Sequence, residues 1–457
     1  MALKKSSLRQ WLLAGAAVMQ GALVAGPGSA ETLGNALVSA YRNSSLLSQN
    51  EAVLRAADED AATAMTTLRP VISWVMQSQY TNNFQGEKTV TAGGLGFDWT
   101  LYDFGRTEIR VKAAREQVLA TREALVGIEQ NVLLGAVSAY MGVRSAAQTV
   151  DLNQTSVRVI GEQLKAAQDR FAVGEITRTD VAQAEAALAA AKAALAAAQG
   201  SLAVARASYQ AAVGHAPDGV NAAPPLPPLP KSLDEAKSIA QRMHPSVLQA
   251  QHQAKVADLQ VTLAAAQRRP TLGVSANVLE TDHGANNTVA TLQLSQPIYA
   301  GGKLSSAHRK AIAGRDAALA ALTQTGIGVT QQVAIAWSNI DVSRAQIGAT
   351  DQQIAAAQAA YDGVKEEAKL GSRTTLDVLN AEQALLTAQS GKVTAATNLQ
   401  VANYSLLAAM GLLTVDHLKL GIPTYDPEAY YNAVKSAPTT SVQGKSLDRV
   451  LKAIGKN

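Results

Sequence analysis

The chain contains no cysteine, which excludes disulfides, thiolate metal sites and a lipidated amino-terminal cysteine. Beyond the first thirty residues it has no long uninterrupted apolar run of the kind that crosses a bilayer as a helix. A β-barrel stays open as a membrane solution, because a closed barrel satisfies its backbone hydrogen bonds internally. A surplus of charge is missing too. Lys4, Lys5 and Arg9, the apolar stretch Trp11–Ala25 and the small residues Gly28-Ser29-Ala30 read as a signal peptide cleaved before Glu31; a membrane anchor is the alternative. Without those three basic residues, 37 Lys+Arg face 36 Asp+Glu, so nucleic-acid binding loses its electrostatic support. Catalytic patterns are also lacking. The histidines (His215, His244, His252, His283, His308 and His417) form no metal-ligand spacing. The serines form no nucleophile elbow. Gly93-Gly94-Leu95-Gly96 has no phosphate-binding helix after it and suits a strand.

What is present is a duplication. Trp99-Thr100-Leu101-Tyr102-Asp103-Phe104-Gly105-Arg106 aligns with Gln296-Pro297-Ile298-Tyr299-Ala300-Gly301-Gly302-Lys303 at an offset of 197 residues. Ala139-Tyr140, Gly174, Asp180, Ala184-Glu185 and Gly214 match Ala336-Trp337, Gly371, Asp377, Ala381-Glu382 and Gly411 at the same offset. Upstream, Leu68-Arg69-Pro70 matches Arg268-Arg269-Pro270 at an offset of 200. A repeat of this size implies a pseudo-symmetric protomer.

Each copy opens with a helical pattern, about Ser45–Thr67 and Ser246–Gln267, ended by its Arg-Pro pair. Alternation follows. Ile72, Trp74, Met76 and Tyr80 share a face, as do Leu95, Phe97, Trp99 and Leu101. Leu272, Val274, Ala276 and Val278, then Ala290, Leu292 and Leu294, repeat the pattern opposite polar residues. These are four strands of roughly ten residues, the length a tilted membrane strand needs. A half-buried soluble sheet shows the same period. Tyr80, Tyr102 and Tyr299 near strand ends suit a bilayer interface. The polar stretches Thr81–Lys88 and Glu280–Asn287 are read as loops.

Long helical patterns come next, Arg106–Val173 and Lys303–Leu370, each ~100 Å if unbroken. Gly174 and Gly371 interrupt them, and helices at about Thr179–Val213 and Thr375–Met410 return. These carry a sevenfold stripe, Val181, Leu188, Leu195, Leu202 and Tyr209, then Val378, Leu385, Leu399 and Leu406, with Lys392 breaking the second row. An ordinary buried helix face gives the same stripe. Four strands cannot close a barrel, so membrane insertion requires several protomers to share one; two give eight strands and little interior room, and three give twelve with space for a lumen.

Two turn signatures lie in register between helices of matching length. They are Phe171-Ala172-Val173-Gly174-Glu175-Ile176-Thr177-Arg178-Thr179-Asp180-Val181 and Lys369-Leu370-Gly371-Ser372-Arg373-Thr374-Thr375-Leu376-Asp377-Val378-Leu379-Asn380. With the signal peptide and the duplicated helix–hairpin–helix unit, they make nearly all of the mature chain resemble the TolC family of outer-membrane channels. The resemblance implies a mainly α fold with a β-barrel part. A homotrimer would form a twelve-stranded barrel among outer-membrane lipid, above a long periplasmic tunnel of helices. It implies an exit duct for an inner-membrane transporter and a periplasmic adaptor protein, in drug efflux or in type I protein secretion, with no cofactor. The two turns become the periplasmic tip, with Val173, Gly174, Leu370 and Gly371 docking the adaptor. Asp180 and Arg373 become charged closure contacts of a gate, and Asp377 an inward acid. Asn380 stands where some relatives have a second acid, and Ala368 where some have an aromatic closure residue. Helix capping is the other reading of both aspartates.

The division that follows is residues 1–30 as signal peptide, 31–213 as first repeat, 214–244 as proline-rich crossover, 245–413 as second repeat, and 414–457 as an equatorial segment and tail. Two other functions compete with the duct. A structural or adhesive coiled-coil envelope protein explains the helices but not four alternating strands. A periplasmic hydrolase has no candidate constellation.

Overall fold

A computed structural model describes residues 31–438, apart from 84–85, 218, 220–223 and 283, together with positions 442, 445 and 449. The signal-like segment 1–30 lies outside the described residues, and so does much of the tail beyond residue 438. The elements run α1 (Leu33–Asn43), α2 (Ser45–Thr66), β1 (Val71–Asn83), β2 (Gly86–Tyr102), α3 (Arg106–Ala172) and α4 (Arg178–Val213). The second copy is α5 (Leu233–Met243), α6 (Pro245–Ala266), β3 (Thr271–Thr281), β4 (Asn286–Ser295), α7 (Lys303–Lys369) and α8 (Thr375–Ala409), and α9 (Pro427–Val434) closes the order.

Two helices depart from the sequence expectation. Thr32 caps α1, whose Leu33, Ala36, Leu37 and Ala40 face the core. Ser232 caps α5, which buries Ala236 and Ala240 inside the stretch read as crossover. Both are short, and the proline run at 224–230 drew α5 into the linker. The strands also exceed expectation: β1 has 13 residues and β2 has 17, taking in much of the stretch read as loop.

α3 and α7 each have 67 residues, so each extends ~100 Å. α4 and α8, with 36 and 35 residues, run back along them. α2 and α6 pack on the strand-proximal part of α3, and α6 also touches α7. By length and composition α3 and α4 could each cross a bilayer. Alanine produces that hydropathy in α4, which packs along α3 as a partner helix.

The repeated motif is the junction from strand to long helix. Phe104 and Gly105 hold φ of 55° and 85°, and their twins Gly301 and Gly302 hold 59° and 85°. Two successive left-handed residues reverse the chain into the helix. Asp103 caps the first copy, accepting from the Thr107 amide and hydroxyl at 2.6 Å. The Arg-Pro pairs serve the same region. Arg269 donates to the Phe104 carbonyl at 2.8 Å, Arg106 donates to the Ala266 carbonyl at 3.0 Å, and Arg69 bonds the Ser436 and Ala437 carbonyls.

The strands form one antiparallel sheet in the order β1-β2-β3-β4. Its register puts Trp74 beside Leu95, Leu95 beside Val278, and Val274 beside Leu292. The reverse face joins Ser73 to Gly96, Gly96 to Asn277, and Ser275 to Thr291. The apolar side is open: Trp74 and Leu292 are each 68% exposed. The main core lies farther down, where α1, α5 and the ends of α4 and α8 meet the middles of α3 and α7. Tyr140, Tyr209, Leu133, Met410 and Leu413 are wholly buried there. The tail read as equatorial begins at this level, where the Val415 amide donates to Glu129 at 2.7 Å. It then climbs along α2, with Tyr430 on Glu59 and residues 436–437 on Arg69 at the foot of the sheet.

Candidate functional site

The two tip turns have one design. Each long helix stops at a glycine with φ of +81°, Gly174 and Gly371, with nothing near the place a Cβ would occupy. The Gly174 amide donates to Phe171 at 3.0 Å and Glu175 to Arg170 at 3.0 Å; Gly371 and Ser372 repeat this on Ala368 and Glu367 at 3.2 and 3.0 Å. Such bonds satisfy the last free carbonyls of a helix. The neighbouring apolar residues point outward, Val173 at 71% exposure and Leu370 at 85%. An apolar side chain beside a bare glycine gives a second helix room to approach the backbone.

The returning helices start with reciprocal caps. Thr177 Oγ1 accepts from the Asp180 amide at 3.3 Å, while Asp180 Oδ2 accepts from the Thr177 amide at 2.9 Å and its hydroxyl at 2.7 Å. Thr374 and Asp377 make the same set at 3.2, 3.0 and 2.8 Å. The Thr177 hydroxyl, then its amide, hold Asp180 below the usual carboxylate range. The Thr374 amide, then its hydroxyl, do so for Asp377. The Thr-x-x-Asp spacing at both turns carries this signal in the sequence; α8 starts at the expected Thr375, and α4 starts one residue before the expected Thr179. Arg373 engages its own hairpin, donating from Nε to Glu367 at 2.8 Å. That bond, then the charges of Glu367 and Asp377, raise its pKa. Within one protomer Asp180 and Arg373 therefore have different partners. Glu367 is the neighbour of Arg373 that sequence reasoning missed, because the turn between residues 367 and 373 brings it there.

Asn380 is exposed on α8. With Asn153, Ile160, Ala187 and Gln383 it lines a groove of about 660 Å³ between α3, α4 and α8. Ala368 is buried with Tyr361, Val378 and Leu385, so it fastens α7 to α8. Glu382 lies in the same region, mostly buried, and burial pushes its carboxyl up despite Lys365 and Arg158 nearby. The tip is thus two capped helical turns whose outermost residues are bare glycines and exposed apolar side chains.

Comparison with known proteins places the whole chain. The family model described as outer membrane efflux protein matches residues 36–215 and 237–412. The outer membrane efflux protein BepC of Brucella suis biovar 1 (strain 1330) is 37% identical over 433 residues, covering 93% of this chain and 95% of that protein. The outer membrane protein TolC of Escherichia coli (strain K12) is 24% identical over 442 residues, covering 88% of this chain and 87% of that protein. The crystal structure of the outer membrane protein VceC from Vibrio cholerae superposes with a TM-score of 0.71 at 22% identity, over 83% of this chain and 96% of that one. With its helical tunnel wall and its small membrane sheet, the chain belongs to the outer membrane efflux protein family, as a TolC-like channel of the outer membrane.

Proposed function

We propose that this protein is the passive exit duct of a tripartite export path. Three copies share a twelve-stranded barrel, the long helices continue it as a tunnel, and an inner-membrane transporter with its periplasmic adaptor delivers cargo to the tip. The observation that carries the reading is the sheet. Four strands with an apolar open face, and with neighbours on one side only of β1 and β4, stand on helices of ~100 Å. An open strand edge cannot rest in hydrocarbon, because its backbone groups would stay unpaired. Closure through copies of the same sheet supplies the partners. Helices of this length suit a periplasmic span, and α7 leaves Leu319, Ile327, Ile335 and Val342 exposed for neighbouring protomers.

In this reading Val173, Gly174, Leu370 and Gly371 dock the adaptor, while Asp180, Arg373, Asp377 and Asn380 belong to the gate. The gate contacts run between protomers, where Arg373 exchanges Glu367 for Asp180 of a neighbour. Exposed pairs contribute only ~0–1 kcal/mol each, so closure needs several around the ring. Purified protein in planar bilayers tests this. Asp180→Ala with Arg373→Ala should raise conductance, and low salt should favour the closed state. The caps support a second reading, in which both aspartates only start their helices. Unchanged conductance in an assembled variant selects that one.

A further inference from the structure

Four segments converge on Glu31. Its backbone amide donates to the Gly219 carbonyl at 3.0 Å. Its carbonyl accepts from the Tyr140 hydroxyl at 2.9 Å. Its carboxylate accepts from the Tyr209 hydroxyl at 2.6 Å and lies 3.4 Å from His215 Nε2. Tyr140 on α3 and Tyr209 on α4 are both wholly buried, with ring centroids 6.5 Å apart, and His215 stands edge-on to Tyr209 at 6.0 Å. A buried phenol needs a partner for its hydroxyl, and one residue serves both. Burial, then the bond to Glu31, raises the Tyr209 pKa, which keeps the phenol a donor.

The internal repeat supplies a control. At the offsets of the duplication, Tyr140, Tyr209 and His215 correspond to Trp337, Leu406 and Leu412, and Glu31 corresponds to Lys231. The second copy has the same helices but none of these hydroxyl or imidazole groups. Chain position separates the two: Lys231 lies inside the chain, whereas Glu31 directly follows Gly28-Ser29-Ala30.

We propose that Tyr140, Tyr209, His215 and Gly219 form a receptor for the processed amino terminus. Glu31 is the first residue of the mature chain, and its seating fastens the crossover to α3 and α4 at the level of the main core. The ligand class is an acidic amino-terminal residue, read through its carboxylate and its backbone. The proposal rests on the reading of residues 1–30 as a signal peptide, and the two parts can be tested apart.

The full precursor is expressed in a Gram-negative host and purified from the outer membrane. Intact mass and amino-terminal sequencing should place the terminus at Glu31; another terminus overturns that half alone. The clasp is read by limited proteolysis between residues 214 and 230 in Glu31→Ala, Tyr209→Phe and the double variant. Tyr209→Phe leaves the processing junction untouched. Each single change should raise the cleavage rate about tenfold, and the double should cleave no faster than the faster single. Glu31→Asp, which keeps the charge but shortens the reach, should cleave faster than wild type if Glu31→Ala fails to accumulate. Unchanged rates in the singles, or a double equal to the product of the two, overturn the clasp.

Discussion

Asp58 is a carboxylic acid with no exposed surface, set on α2 beside Leu54, Val118 and the tail that carries Tyr425. Burial pushes its pKa up to about 6, against the pull of Arg122. An unfolded aspartate ionises near 4, so between about pH 4 and 6 the unfolded chain releases its proton first. Asp58 therefore favours the native state most below pH 4; its contribution falls by ~3 kcal/mol as pH rises through 6 and is level above it. Asp58→Asn should flatten that slope and raise the thermal midpoint at pH 7, measured in detergent; an unchanged slope would remove the assignment. Glycines separate into two kinds at the same scale. Gly411 has φ +80°, and a Cβ there would meet Met243 O and His244 Cα at 2.8 Å. Gly214, its twin, instead abuts the Asn43 side chain, with Cβ and Nδ2 at 2.7 Å from the place of a Cβ. Gly411→Ala should therefore cost more than the ~1–2 kcal/mol of a left-handed alanine and should lower trimer yield. Gly174 and Gly371 have open space around them. Charged replacements there should abolish export while leaving trimer abundance normal, and loss of the trimer would show that those turns are structural.

Among the elements, the long helices and the strand faces were legible because each follows one strong period. The Ile72-Trp74-Met76 and Leu272-Val274-Ala276 rows sit on the open face as the alternation required. The twin glycines at 174 and 371 were read correctly as helix ends. What escaped was short or non-local. α1 and α5 have 11 residues each, too few for periodicity to rise above linker composition. The Arg373–Glu367 bond depends on how tightly the turn folds back, which no spacing rule supplies. Gly94 was only a permissive strand residue in the sequence. In the sheet a Cβ there would fall on the Val278 carbonyl, so β2 and β3 approach too closely for a side chain. The caps yield a prediction at this scale. Thr374→Ala removes an N-cap worth ~1 kcal/mol. Hydrogen exchange should quicken in the first turn of α8 and stay unchanged at Met410. Equal protection in both proteins would mean that packing of Val378 and Leu385, not the cap, holds that end.

At the scale of the whole molecule the open question is how the sheet closes. Among the described residues β1 and β4 each pair with one neighbour, and their outer edges are where another sheet can continue the ladder. In hydrocarbon a free edge costs several kcal/mol for each unpaired group, far more than the tip contacts contribute. The barrel should therefore fix the oligomer, and the tip should only tune its opening. Three sheets give twelve strands and a lumen, whereas two leave little interior room. The absence of native cysteine makes this testable without background. Ser73, Val75 and Gln77 on β1, and Thr291 and Gln293 on β4, lie on the face that carries the polar residues. Cysteines placed one per strand and scanned over these positions should, at the native register, oxidise into a covalent trimer on denaturing gels. Disruption of the tip by Asp180→Ala with Arg373→Ala should leave that trimer intact. Covalent dimers alone, or monomers at every register, would reject the shared barrel.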